Sequence, residues 1–187
     1  EAEPRGGRSL FIVAGGSAAF PWVFHSMQAR CCGGVAVLLV QRAFLHTSGC
    51  VLGGLGGSLL EQNATAIYGV MMLESAHAII HASTIGFSCA AAVRVMGSVV
   101  AVLDKCRVSH NARGLMVSDD TRCLLRSCRF NSNWFSAFDV VDGASEVGGT
   151  NAQGGFVRSE MLLQTCRVRA LDPAAKASLR SAAAAAG

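Results

Sequence analysis

Residues 75–97 (SAHAIIHASTIGFSCAAAVRVMG), 98–120 (SVVAVLDKCRVSHNARGLMVSDD) and 121–143 (TRCLLRSCRFNSNWFSAFDVVDG) are three consecutive segments of equal length that read as aligning without a gap. Each carries an aliphatic residue, a small residue three positions on, and an apolar residue two further: Ile80-Ser83-Ile85, Leu103-Cys106-Val108 and Leu125-Cys128-Phe130. The same figure is read in Val40-Ala43-Leu45 before the block and in Leu163-Cys166-Val168 after it. Between these anchors a small residue opens an alternating run, at Gly69-Val70-Met71-Met72, Ala92-Val93-Arg94-Val95, Gly114-Leu115-Met116-Val117, Ala137-Phe138-Asp139-Val140 and Gly155-Phe156-Val157. Alternation with period two means strand, because successive side chains leave opposite faces. Strands this short, recurring at a fixed period, cannot bury a face alone and must stack coil upon coil.

The order I-x-x-[N/C/S]-x-I followed by N-x-x-G-[I/L]-x-V is clearest in residues 103–117 (LDKCRVSHNARGLMV). It resembles the coil signature of the pectate-lyase-like superfamily, with its carbohydrate-binding and sugar-hydrolase repeats, over roughly residues 35–168. The resemblance implies an all-β fold, a right-handed parallel β-helix solenoid with one coil per repeat of the figure. Residues 47–66 and 144–154 interrupt the pattern and are expected to be out-looping turns or degenerate coils. Residues 9–32, broken by Phe20-Pro21-Trp22, are expected to form an irregular first coil. The domain is therefore 9–171, with 1–8 a flexible leader. Asp172-Pro173 is an N-cap and first-turn pair ahead of an alanine-rich run, so 172–187 is expected to be a capping or fraying helix.

Composition narrows the function classes. Of 187 residues, 51% are hydrophobic and 15% charged, yet no run of about 20 is free of charge and turn residues, which argues against a membrane span. A net charge of +4 without clustered Lys/Arg gives no footprint for nucleic acid. Eight cysteines without a C-x-x-C spacing point to reduced thiols in an intracellular, cytoplasmic protein rather than to zinc. The sequon Asn63-Ala64-Thr65 matters only in the less favoured case of secretion. No cofactor is expected.

Stacking turns equivalent positions into columns. Cys106, Cys128 and Cys166 form an inward structural ladder, because a tight corner needs a small side chain and free Cys packs as a small hydrophobe. Glu74, Asp119, Asp142 and Glu160 read as an acidic turn column. Asp119 and Asp142 are its weak Ca²⁺ candidates, and the turn preference of Asp explains them more cheaply. The five histidines share no column. Arg107, Arg129 and Arg167 sit between inward positions and so point outward, with Lys105 and Arg126 beside them. Stacked guanidiniums repel one another unless something acidic answers them.

The resemblance implies either paired-Asp or Ca²⁺-assisted polysaccharide cleavage in the catalytic relatives, but the N-T-D, G-H-G and R-I-K figures of the polygalacturonase-like hydrolases are missing here. The expected function is a non-catalytic scaffold that docks a protein with an acidic surface through the Arg stripe, within a larger assembly of cytoskeletal or ciliary kind. The alternative is a lyase or hydrolase of acidic polysaccharide using Asp119, Asp142 and the same stripe.

Overall fold

A computed structural model describes residues 9–56, 65–119, 121–141, 160–164 and 167–170. Each coil contributes three strands. The first holds β1 (Ser9–Ala14), β2 (Trp22–His25) and β3 (Gln28–Arg30), and the second β4 (Val35–Val40), β5 (Phe44–Ser48) and β6 (Val51–Gly53). The third holds β7 (Ala66–Met72), β8 (His77–His81) and β9 (Thr84–Gly86), and the fourth β10 (Ser88–Val95), β11 (Val100–Asp104) and β12 (Arg107–Ser109). The fifth holds β13 (Arg113–Ser118), β14 (Arg122–Arg126) and β15 (Arg129–Asn133), and the last β16 (Ser136–Val141), β17 (Glu160–Gln164) and β18 (Arg167–Ala170). Every third strand pairs in parallel, giving three six-stranded sheets that start with β1, β2 and β3 respectively. Among the described residues there is no helix.

The core is the set of columns this pairing creates. Ile80, Leu103 and Leu125 are in register and fully buried, as are Ile85, Val108 and Phe130. Each such side chain removed from water contributes about 1.5–3 kcal/mol. Small residues are required where the third sheet hands over to the first. A Cβ on Gly114 would meet Phe130 Cδ1 at 2.8 Å, and one on Gly69 would meet Ala92 O at the same distance.

Three corners close each coil, and each is made by a residue at positive φ. Between the first and second sheets these are Glu74, Gly97 and Asp119; between the second and third, Ala82, Lys105 and Ser127; between the third and first, Phe87, His110 and Ser132. Non-glycine residues reach this region at a cost of roughly 1–2 kcal/mol. Hydrogen bonds from neighbouring side chains offset it. Asn111 Nδ2 donates to Asn133 Oδ1 at 3.0 Å, and Asn111 Oδ1 accepts from Ser88 N at 3.0 Å, so the third corner is tied coil to coil.

Several expectations change. The gapless, constant period is not kept: Ile80 pairs with Leu103 and Leu103 with Leu125, so the first step along the chain is one residue longer than the second. The extra residue is a bulge between Ser88 and Ala91 in β10. Val40-Ala43-Leu45 is not the anchor figure, since Leu45 pairs with Ala78 and Thr47 with Ile80. The anchor is Thr47-Cys50-Leu52, so much of the stretch 47–66 is regular coil. Residues 9–32 build all three strands of a coil, and their irregularity is confined to the segment 15–21 between β1 and β2. The helix expected at 172–187, the leader 1–8, Asn63, Gly155-Phe156-Val157 and the stretch 144–154 lie outside the described residues.

Candidate interaction surface

The corner between the second and third sheets gathers the basic residues. β11 ends at Asp104, Lys105 reverses the chain at φ 56°, Cys106 turns into the core, and Arg107 opens β12 facing outward. One coil later Arg126, Ser127, Cys128 and Arg129 repeat the path. Lys105, Arg107, Arg126 and Arg129 are all exposed. Arg107 pairs in register with Arg129, and Arg129 with Arg167. Adjacent coils lie about 4.8 Å apart, and like charges at about 5 Å repel by roughly 0.8 kcal/mol in water. None of these four cations forms an ion pair with a described carboxylate, whereas Arg113 on the first sheet meets Asp139 at 2.9 Å.

The thiols beneath this ridge are structural. Cys106 Sγ donates to Ile80 O at 3.1 Å and Cys128 Sγ to Leu103 O at 3.2 Å, satisfying carbonyls of the preceding coil. Cys50 extends the ladder, its Sγ donating to Phe24 O at 3.4 Å, and Ser83 fills the same position with its Oγ donating to His81 O at 2.7 Å. The hydrogen bond it shares with Cys128, together with burial, holds the Cys106 thiol far above its ordinary range. Cys166 lies outside the described residues.

The acidic column lies on the other corner of the second sheet. Asp119 Oδ2 accepts from Gly97 N at 3.1 Å and from Ser118 Oγ at 3.2 Å, and Glu74 Oε2 accepts from Gln41 N at 3.0 Å. These carboxylates cap corner amides, which accounts for acids at those positions. Asp142 is outside the described residues. Glu160 does not belong to the column: it opens β17 in register with Arg122. The strand β14 separates the two corners by about 16 Å, so Asp119 and the Arg stripe do not share a groove. Among the described residues no group of three or more His, Cys, Asp or Glu is placed to hold a metal.

One column escaped the sequence reading. His25, Ser48, His81, Asp104 and Arg126 are in register, so two of the histidines do share a column, and His81 Nδ1 lies 3.0 Å from Asp104 Oδ2. The outer wall of the second sheet also escaped it. Ile79 is exposed and Val102 and Leu124 half-exposed, outward between inward Ala78 and Ile80, Ala101 and Leu103, Cys123 and Leu125. The signal was three consecutive apolar residues in each strand, which means that both faces are apolar.

Residues 46–171 match the family model described as a right handed beta helix region. No curated protein and no solved structure matches the chain.

Proposed function

The chain belongs to the right-handed β-helix family, and on that premise we propose that it is a non-catalytic scaffold whose basic corner docks a protein with an acidic surface. The observation that carries this is the in-register pair Arg107 and Arg129, exposed, without ion-pair partners among the described carboxylates, and continued by Arg167. A rigid backbone that holds like charges side by side is stabilised when a counter-charge arrives. The setting we propose is intracellular, in a larger cytoskeletal or ciliary assembly; corner thiols hydrogen-bonded to carbonyls fit a reduced protein. Polysaccharide cleavage is the less supported reading, because Asp119 is engaged in capping at a separate corner.

The test is the triple substitution Arg107→Gln, Arg129→Gln, Arg167→Gln, with polyglutamate as the probe. Folding should survive, since surface substitutions usually change stability by under roughly 0.5 kcal/mol each. Polyglutamate affinity should fall, and the wild-type affinity should itself weaken between about 50 and 300 mM salt, as screening of exposed charges requires. Unchanged affinity in the triple variant would remove the ridge from the binding site.

A further inference from the structure

The outer wall of the second sheet is apolar where a solvated face is expected. Its outward column runs through Val23, His46, Ile79, Val102 and Leu124. Ile79 is 46% exposed and Val100, in the adjacent outward column, 37%. The segment before β2 brings Pro21 to this wall. With Phe44, His77, Ile79, Val100 and Val102 it lines an open groove of about 260 Å³. The Phe44 and His77 rings stack there, centroids 4.4 Å apart. Ligand pockets for small molecules usually run from about 300 Å³ upward, so this groove is sized for a single large side chain. Arg126 stands on the same outward face of β14 as Leu124, two residues on, and the basic ridge therefore begins about 7 Å from the apolar column.

Resting on the reading of the ridge as a dock for an acidic partner, we infer that this groove receives an apolar side chain of that same partner, an acidic peptide segment with an aromatic or large aliphatic residue among its carboxylates. Charge complementarity selects the occupant. Beside the groove stand Lys105, Arg107, Arg126 and Arg129, and the described carboxylate in their midst, Asp104, is engaged by His81. A neutral apolar segment would bring no charge to answer the four cations, and a wholly acidic one would leave the groove wet. An acidic segment with one apolar anchor satisfies both, the anchor filling a pocket and the charges fixing its register. A slot of this size suits a side chain carried on a backbone better than a bilayer surface.

The experiment uses fluorescence anisotropy with two labelled probes, an octaglutamate peptide and the same eight glutamates with one phenylalanine at the centre. The wild type should bind the phenylalanine peptide at least about tenfold more tightly, as expected for burying one aromatic side chain. The double variant Ile79→Thr, Val100→Thr keeps β-branched residues in both strands; it should lose that preference and retain its affinity for octaglutamate. Arg107→Gln with Arg129→Gln should weaken both probes alike. Equal wild-type affinity for the two peptides, a comparison that needs no variant, would overturn the groove and leave the ridge standing. A double variant that keeps the preference would also overturn the groove. Failure of both probes to bind would overturn ridge and groove together. Tight binding to phosphatidylcholine–phosphatidylserine vesicles that Ile79→Thr abolishes, with no preference between the peptides, would replace the peptide by a membrane.

Discussion

Cys123 shows how a single position reports on the core. It lies in register with Ala101 and Ala78 on the inward face of the second sheet, 4% exposed, and burial pushes its thiol up to about 12. In the unfolded chain the same thiol ionises near 8.5–9. Above that pH the unfolded state releases a proton that the folded state retains, so this contribution is intact below about pH 8.5 and is lost as pH rises towards 12. The slope is about 1.4 kcal/mol per pH unit for one thiol. Urea denaturation at pH 8.0 and 10.0 should show a loss of roughly 1–2 kcal/mol that Cys123→Ala removes; equal pH dependence in the two proteins would place this thiol outside the core. The inward anchors from Ile80 to Phe130 were legible in the sequence because size and spacing alone mark them. The work of Cys106 and Cys128 was not. Their bonds to carbonyls depend on Lys105 and Ser127 taking positive φ, and neither residue announces that conformation as glycine would.

At the scale of the element, register is set by the corners. The anchor figure was misplaced in the second coil because Val40-Ala43-Leu45 and Thr47-Cys50-Leu52 carry a small residue and a following aliphatic one at equal spacing. What separates them is the turn at Gln41 and Arg42, both at positive φ, and neither is a residue type that favours it. The acidic column was legible as a turn column, but its capping of Gly97 N and Gln41 N was not, since those partners come from another coil. Glu160 was misassigned for the same reason: its neighbour Arg122 follows from pairing, not from local spacing. One alanine inserted between Leu103 and Asp104 moves every later residue of the coil by one and carries Cys106 and Val108 to the outside. Inserted within residues 15–21, between strands, the same alanine leaves parity untouched. Thermal melts should show Tm lower by more than about 10 °C for the first insertion and nearly unchanged for the second. Equal tolerance would contradict the register.

For the whole molecule, stability is a sum over coils and their interfaces, since each coil touches only its neighbours. The two ends are then unequal to the middle. In the first coil Ile12 is 66% and Phe20 83% exposed, and β2 has no buried residue. The fourth coil, by contrast, is covered on both sides, with Ala101, Leu103 and Val108 fully buried. A coil packed on one side only has half the interfaces to hold it, so it opens at lower free energy and its amides exchange through local unfolding. Native-state hydrogen exchange followed by mass spectrometry should therefore show a gradient along the axis: fastest in β1, β2 and β3, slower in β5 and β8, slowest in β11 and β12. Octaglutamate carrying the central phenylalanine should slow β8, β11 and β14 without protecting β3, because the groove and ridge lie on those central strands. Uniform protection from β1 to β14 would mean that the solenoid opens as one unit and that the nearest-neighbour account of its stability fails.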